Sequence, residues 1–252
     1  MDVMRLNQFS DQFYTAFIEG DRYKLYLNGL ATTMQLSLWG VLIGISLGLV
    51  LALMRLSKVK VLGFNPLSAI SGFYIDIIRG TPMVVQLLIF YFVLFGSVRS
   101  VDVYINIFGW VVSFNINLKI LVGSLAFGCN SAAYVSEIIR AGILSIDHGQ
   151  TEAGRSLGLS GMQNMRFIVL PQALKNVVPA LCNEFIVLIK ETSIFGYIGG
   201  VDLTKVGEQI RTKTFIALLP LLGVALIYYL VVKLLSLLMQ RIERRLRAGD
   251  HR

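Results

Sequence analysis

Residues 150–171 read QTEAGRSLGLSGMQNMRFIVLP, and polar residues dominate the first half of this stretch. Long apolar segments lie on both sides of it, at residues 118–143 and 175–198. Each segment is long enough to cross a hydrocarbon core of about 30 Å as a helix. A polar connection between two membrane spans is expected to lie in water. We therefore predict an exposed loop here, and it is the chain's best candidate for a contact with another protein.

The composition indicates a membrane protein. Of the 252 residues, 55% are hydrophobic and only 15% are charged, and the mean hydropathy is +0.69. Soluble domains carry about 25% charged residues. The net charge of +8 comes from basic residues in short loops and at the C-terminus, which is typical of membrane topology rather than of nucleic-acid binding. Both cysteines fall inside apolar segments, so neither a disulfide nor a metal site is expected.

Five apolar spans are predicted, so the expected fold is an all-helical polytopic membrane protein with five transmembrane helices. The spans cover residues 30–54, 67–95, 118–143, 175–198 and 215–239. Gly40, Gly44 and Gly48 recur at every fourth position of the first span, which predicts close approach by another helix. Residues 3–27 have the spacing of an amphipathic interfacial helix, although a frayed tail fits them nearly as well. Residues 97–117 are predicted to be a mixed loop.

Lysines and arginines are distributed unevenly between the two sides of the predicted spans. Twelve flank one side, namely Arg55, Lys58, Lys60, Arg140, Arg155, Arg166, Lys175, Arg241, Arg244, Arg245, Arg247 and Arg252. Seven flank the other, namely Arg5, Arg22, Lys24, Arg99, Lys205, Arg211 and Lys213. Because cytoplasmic loops carry the excess of basic residues, the N-terminus is predicted to lie outside and the C-terminus in the cytoplasm.

The expected organisation follows from these spans and this orientation. It comprises an extracytoplasmic segment at residues 1–27, a transmembrane domain at 28–245 with a cytoplasmic loop at 144–171, and a cytoplasmic tail at 246–252.

The second span is broken near its middle. Arg79, Gly80, Thr81 and Pro82 interrupt the apolar pattern at a depth close to the bilayer midplane. A charge, a glycine and a proline at this depth are costly unless they face a cavity or the protein interior. We interpret the break as part of a transport pathway. The alternative is that Arg79 lies in a loop between two short helices near one interface.

Other charged residues inside the spans could bind a substrate or pair with each other. Two such pairs are conceivable, Glu137 with Arg140 and Glu184 with Lys190. Arg79 is the best single candidate for substrate contact, because an arginine fork matches a carboxylate. The acidic residues of the spans slightly favour a substrate with a cationic side chain.

The stretch at 150–171 has helix signals of its own. Thr151 is a good N-cap, and Glu152 in a first turn complements the helix dipole. Gly158 and Gly161 bracket the other end, which predicts a helix of two turns. This short helix is suited to transmitting a displacement between proteins, but an inert surface loop would show the same sequence features.

A second helix is predicted to follow directly. Ser160 and Gln163 form a capping-box pattern at its start. The run toward Pro171 is expected to bend, because proline removes a backbone donor.

The same stretch resembles the signature loop of the inner-membrane subunits of bacterial ABC importers. The matching residues are Glu152, Ala153, Gly154, Gly158, Ile168, Leu170 and Pro171. Gly154 stands where the general family usually has alanine, which is a small-for-small difference. Three further segments resemble the polar amino-acid uptake branch of that family. They are residues 76–82 with Gln86, residues 130–134 with Glu137 and Arg140, and residues 183–185 with 190–193.

The resemblance implies a permease subunit of an ATP-driven importer for a polar amino acid, with a basic one slightly favoured and glutamine the other choice. Two permease subunits, identical or related, would form the pathway, a pair of ATP-binding subunits would power it, and an extracytoplasmic binding protein would deliver the substrate. The implied coupling residues are Thr151, Glu152, Ala153, Gly154, Ser156, Leu157, Gly158 and Leu159. The implied pathway residues are Arg79, Gly80, Thr81, Pro82, Gln86, Asn130, Glu137, Glu184, Lys190, Thr192 and Ser193.

ATP chemistry is expected on another chain. This sequence contains no Gly-Lys dipeptide and hence no P-loop of the usual form, so ATP and magnesium would bind the partner ATPase, and no cofactor or metal is expected here. The only histidines, His148 and His251, lie outside the spans and do not indicate an integral membrane enzyme. The expected location is the bacterial cytoplasmic membrane, with lipid contacts and no nucleic acid. The remaining alternative, an ATP-independent secondary transporter, commonly has an inverted repeat, and none is visible.

Overall fold

The structure is a computed structural model, and it describes residues 2–57, 59–61, 63–98, 101–107 and 110–247. The predicted tail at 246–252 lies outside the described residues apart from its first two positions. Lys58, Arg99, Arg252 and His251, which entered the sequence analysis, lie outside them as well.

Helices make up most of the described chain, as predicted. The α-helices are α1 Asp2–Phe17, α2 Arg22–Leu56, α3 Pro66–Gly80, α4 Met83–Leu88, α5 Leu118–Leu144, α6 His148–Ser156, α7 Gly161–Asn164, α8 Leu170–Glu191, α9 Leu203–Thr214 and α10 Leu219–Arg247. Two 3-10 helices lie at Glu19–Asp21 and Thr192–Ile198, and two π-helical segments lie at Ile89–Leu94 and Met165–Val169. The helix predicted within residues 3–27 is present as α1 and the start of α2.

The prediction of a mixed loop at 97–117 is wrong, because a short β-hairpin lies there, whereas the predicted all-helical membrane fold is confirmed for the rest of the described chain. Strands β1 Val101–Ile107 and β2 Trp110–Ile116 pair antiparallel, with Val101 opposite Ile116 and Ile107 opposite Trp110. Both strands are rich in valine, isoleucine and aromatic residues, which favour extended backbone. The strands have only seven residues each, far fewer than a membrane span, so apolar runs of spanning length give no indication of this hairpin.

Among the described residues, three helices are long and apolar enough to cross a membrane, at Glu19–Leu56, Leu118–Leu144 and Leu219–Leu246. Pro66–Gly80 together with Met83–Leu94 would make a fourth, if this broken pair is one span. The predicted span at 175–198 corresponds to α8, which contains Pro179, and to the 3-10 helix after it. It is not among the three, so the structure supports several membrane helices without establishing five.

The described chain divides into two compact units. The first contains Met1–Trp39, Met83–Phe127 and Leu188–Lys233, and the second contains Gly40–Pro82, Gly128–Val187 and Leu234–Arg252.

In the second unit, α2 lies very close to α5 along the predicted glycine stripe. A Cβ atom on Gly44 would lie 2.8 Å from Ser131 Oγ, and one on Gly48 would lie 2.6 Å from Val135 Cγ1. Side chains do not approach so closely, so only glycine allows this contact. At Gly40 the close approach is to Gly128 of α5, because a Cβ atom on Gly128 would lie 3.3 Å from the carbonyl oxygen of Gly40. The predicted packing role of the stripe is confirmed.

In the first unit, α9 packs an apolar face into a small core. Leu203, Val206 and Ile210 of this helix are buried with Tyr26 and Val224. Their spacing of three and four residues places them on one side of the helix. The polar residues of α9 lie on its other side, so the helix rests on the core as an amphipathic element.

Asp202 fixes the start of α9. Its carboxylate oxygens accept hydrogen bonds from the N–H groups of Thr204, at 2.9 Å, and Lys205, at 3.1 Å. These are the donors that an N-cap residue satisfies. The residue is fully buried, and burial raises the pKa of its carboxyl above the usual value despite these hydrogen bonds.

Two substitutions of Asp202 should separate the contribution of its capping hydrogen bonds to stability from the contribution of its buried charge. Asp202→Asn keeps a capping oxygen and removes the buried charge, so we expect stability at neutral pH to be equal or higher. Asp202→Ala should lose about 1–2 kcal/mol, because two N–H groups lose their acceptor. The measurement is thermal unfolding of the full chain in nanodiscs.

The raised pKa also predicts a pH dependence. The pKa of such a carboxyl is higher in the folded state than in the unfolded state. Its contribution to stability is therefore complete at pH values below the unfolded-state pKa, and it is lost as the pH rises through the folded-state pKa. Wild-type stability should therefore rise from neutral pH toward about pH 4 relative to Asp202→Asn. If the difference in stability between the wild type and Asp202→Asn stayed constant over this pH range, the predicted pH dependence would be contradicted.

Candidate functional site

The predicted loop contains the expected short helix, but it begins earlier than predicted. Helix α6 runs from His148 to Ser156, and its N-cap is Asp147, whose Oδ1 accepts a hydrogen bond from the N–H of Gly149 at 2.6 Å. The prediction of Thr151 as the N-cap is wrong. Asp147 offers an equally good acceptor one turn earlier, so the helix starts there and Thr151 lies inside it.

The predicted end of α6 at Gly158 is confirmed. Gly158 has φ 81°, and its N–H donates to Arg155 O at 2.9 Å, while the N–H of Leu159 donates to Gly154 O at 3.1 Å. This pair of bonds is the Schellman motif, which requires a left-handed residue just after the helix. Glycine adopts that conformation without steric cost.

The second helix of the loop starts as predicted. Gln163 N–H donates to Ser160 Oγ at 3.4 Å, and Ser160 N–H donates to Gln163 Oε1 at 2.8 Å, so the capping box is complete. The irregularity expected at Pro171 takes the form of the π-helical segment Met165–Val169. Helical structure then continues into α8 without interruption.

Much of α6 and its end is exposed. Leu157 is 82% exposed although it is apolar, and Glu152, Ala153, Ser156 and Gly158 are also exposed. Thr151 and Leu159 are half-buried, and Gly154 is buried. The predicted coupling residues therefore do not form one surface, because Gly154 faces inward.

Sequence reasoning missed the contact that holds α6 in place. Asn164, at the end of α7, donates from Nδ2 to Thr151 O at 3.2 Å. Asn164 is only 2% exposed, which is unusual for a polar residue in a loop. Its position four residues after the cap of α7 gave no signal in the sequence.

A polar contact joins α5 and α8 inside the second unit. Ser131 Oγ donates to Glu184 Oε1 at 2.9 Å, and the neighbouring Asn130 is 3% exposed. Tyr74 of α3 donates from its hydroxyl to the carbonyl oxygen of Cys129 at 2.7 Å, two positions before Ser131 on α5. The structure thus brings Asn130 and Glu184 of the predicted pathway to the same region, together with Ser131, which had not been chosen as a site residue.

Arg79 is exposed at the end of α3, and its guanidinium carbon lies 5.6 Å from the centre of the Tyr134 ring. This distance is within the range of a cation–π contact. Thr81 Oγ1 donates to Ile77 O at 2.9 Å, and the extended backbone of Thr81 ends the helix. Gly80 and Pro82 are exposed at this break.

Glu137 pairs with Arg140 one turn along α5. Arg140 Nη2 lies 2.7 Å from Glu137 Oε2, and Arg140 Nε contacts both carboxylate oxygens. This is one of the two pairs considered from the sequence. The other does not fit the helix, since Glu184 and Lys190 are six positions apart on α8 and do not face each other.

The remaining pathway residues belong to the first unit. Gln86 is buried on α4, and Lys190 is exposed at the end of α8. Thr192 is buried and donates from Oγ1 to Ile189 O at 2.8 Å. Ser193 lines an open cavity of about 500 Å³ with Ile194, Gly196, Tyr197, Thr204, Lys205 and Glu208.

A search for metal ligands gives no candidate in the described ranges of the chain. No three histidine, cysteine, aspartate or glutamate side chains there lie close enough to hold an ion.

Several apolar helices of membrane-spanning length, with a capped polar loop between α5 and α8, define the class of a multi-pass helical membrane protein. Within that class, residues 40–248 match the family described as binding-protein-dependent transport system inner membrane component, and the chain belongs to this family.

Similar proteins agree with this assignment. The chain is 40% identical over 224 residues to the arginine transport system permease protein ArtQ of Bacillus subtilis (strain 168), covering 89% of this chain and 93% of the relative. It is 35% identical over 213 residues to the glutamine transport system permease protein GlnP of Escherichia coli (strain K12), covering 84% and 90%.

A crystal structure of an amino acid ABC transporter with histidines is similar at a TM-score of 0.75 and 39% identity, covering 88% of this chain and 94% of that chain. The MetNI methionine ABC transporter, at 20% identity and a TM-score of 0.66, shares the fold. The predicted importer permease of the inner membrane is confirmed over the secondary transporter.

The end of α6 should be sensitive to substitution of Gly158. In Gly158→Val the left-handed conformation costs about 1–2 kcal/mol or more, so we expect the helix end to unravel and ATP-driven uptake to fall. Gly158→Asn is the matched control, because asparagine tolerates this conformation best among the other residues. Uptake in proteoliposomes and the amount of protein in the membrane fraction measure the two effects. Normal uptake by the valine variant would contradict a role for the helix end.

Proposed function

We propose that this chain and a second permease subunit form the translocation pathway for a polar amino acid, and that separate ATPase subunits drive it through α6. The observation that carries the proposal is α6 itself. It is a short helix with caps at both ends, exposed between two long helices, α5 and α8. A rigid helix in this position transmits displacement to the helices beside it.

The exposed apolar side chains of the loop supply the contact with the ATPase. Leu157 and Met162 are 82% and 78% exposed. Burying one such side chain in a groove contributes about 1.5–3 kcal/mol to binding. Glu152 and Ser156 lie beside them as polar contacts at the edge of the groove.

The membrane arrangement proposed is five spans with the N-terminus outside. The span at 175–198 is made by α8 and the 3-10 helix that follows, and the broken pair α3 and α4 makes one span. The excess of Lys and Arg beside the loop and the C-terminus then faces the cytoplasm. In this orientation α6 faces the ATPase.

Glu184 is the proposed anchor for the substrate. It is half-buried, and its partner Ser131 is neutral, so the carboxylate remains uncompensated within this contact. A charge at that depth favours an ammonium or guanidinium partner. Glu137, in contrast, is paired with Arg140. Arg79, near the helix break, is the proposed partner for the substrate carboxylate.

The substrate proposed is a basic amino acid, with glutamine as the alternative. The relatives named above are arginine and glutamine permeases. The acidic character of Glu184 favours the cationic side chain, whereas the amide of Asn130 suits either. ATP and magnesium are assigned to the ATPase subunits, and an extracytoplasmic binding protein is the proposed donor of substrate.

The substrate role of Glu184 can be tested by charge removal. We expect Glu184→Gln to lower arginine uptake about 10-fold to 100-fold, because a hydrogen bond to a charged group is lost. Glutamine uptake, measured by the same assay in proteoliposomes with the assembled complex, should fall much less. Ser131→Ala is the matched control and removes the hydroxyl while keeping the charge. Equal loss for both amino acids would contradict recognition of a cationic side chain.

The coupling role can be tested at Leu157. Leu157→Asp places a charge at the proposed contact, so the ATPase subunits should no longer co-purify with the permease from solubilised membranes. Leu157→Met retains apolar volume and should retain them. Co-purification and normal uptake of the aspartate variant would overturn the coupling function.

A further inference from the structure

Gly154 of α6 and Asn164 of α7 meet in the interior of the loop. Both residues are buried, and Asn164 is 2% exposed. A Cβ atom on Gly154 would overlap Asn164 Oδ1, and it would lie 2.7 Å from Ile168 Cδ1. Any residue larger than glycine at position 154 therefore displaces Asn164.

The Asn164 amide holds α6 at a second point. Its Nδ2 donates to Thr151 O at 3.2 Å. Thr151 and Gly154 are three positions apart, so they lie on the same face of the helix. The Asn164 amide group therefore contacts α6 over about one turn, from Thr151 to Gly154. Its Oδ1 makes no hydrogen bond in the described part of the chain and occupies the space that a Cβ atom on Gly154 would need.

The Asn164 side chain cannot move aside without losing interactions. Its N–H donates to Ser160 O at 2.9 Å, and the π-helical segment Met165–Val169 follows at once. If the side chain rotated away from a larger residue at position 154, it would lose the bond to Thr151 and leave a buried amide unpaired. The two positions are therefore sterically coupled.

We propose that Asn164 is a positioning residue for coupling, and that with Gly154 it locks α6 to the helical segment that continues into α8. When α6 is displaced, α8 then moves with it, because α6 cannot rotate separately within the loop. Helix α8 contains Glu184. The inference rests on the coupling function proposed above. It also gives a physical reason for glycine at the position where the family usually has alanine.

Four variants of the full chain test the lock. Gly154→Ala introduces the overlapping methyl group, Asn164→Ala removes the amide, and the double variant places the methyl group in the space that the amide vacates. Gly161→Ala is the matched control, because a Cβ atom on Gly161 would meet nothing within 4 Å.

The first measurement is hydrogen exchange of the α6 amides in the full chain in nanodiscs. We expect exchange about ten-fold faster in Gly154→Ala and unchanged exchange in Gly161→Ala. In the double variant exchange should be slower than in Gly154→Ala, because the two changes compensate each other. This readout does not depend on any ATPase.

The second measurement is the number of amino-acid molecules moved per ATP hydrolysed by the assembled complex in proteoliposomes. Gly154→Ala should lower this ratio about ten-fold. The double variant relieves the overlap but still lacks the bond to Thr151, so it should recover only in part, to within about three-fold of wild type. A residue that only stabilised the fold would change the amount of complex and leave the ratio unaltered.

Two outcomes would overturn the lock. One is a Gly154→Ala variant with wild-type exchange and a wild-type transport ratio, and the other is a double variant no better than Gly154→Ala in both measurements. Failure of the coupling function would look different. In that case Leu157→Asp would keep its ATPase subunits and its uptake, whatever the exchange data show.

Discussion

The close approach of α2 to α5 at Gly44 is the contact on which the polar region of the second unit depends. A Cβ atom at this position would lie 2.8 Å from Ser131 Oγ. Only without it does the hydroxyl have room to reach Glu184 on α8. In a membrane, where apolar side chains gain little from leaving lipid, such small-residue contacts and interhelical hydrogen bonds are the main forces that hold helices together. The same helix, α5, receives the Tyr74 hydroxyl from α3, so three helices are joined to it.

The charges within the spans differ in what surrounds them. Glu137 is neutralised by Arg140 on the same helix, and Arg79 lies over the face of Tyr134. Glu184 contacts only a neutral hydroxyl among the hydrogen bonds observed for it. A carboxylate in such surroundings has the most to gain from a cationic ligand, because desolvation is costly without a counter-charge. This difference in partners, rather than the mere presence of charge, is the basis on which Glu184 and not Glu137 is proposed to bind the substrate.

The loop between α5 and α8 combines stiffness with exposure. Asp147 and Gly158 complete the hydrogen bonds at the two ends of α6. The capping box of Ser160 and Gln163 starts α7 directly afterwards. From Gly161 the backbone remains helical through the π-helical segment to Glu191. A displacement applied to α6 therefore has a continuous route to Glu184. Such a route is physical support for the proposed coupling.

The sequence by itself determined the membrane class, the loop, the glycine stripe, the helix end at Gly158 and the capping box. These follow from local periodicity and from conformations that few residues can adopt. It did not predict the hairpin, where extended strands of β-branched residues were taken for a loop, or the cap at Asp147, where two acceptors competed for one helix start. Only the tertiary structure decided that Glu184 contacts Ser131 and that Gly154 contacts Asn164. Contacts between different helices depend on how the helices are placed in space, and residue spacing along one chain carries no record of that placement.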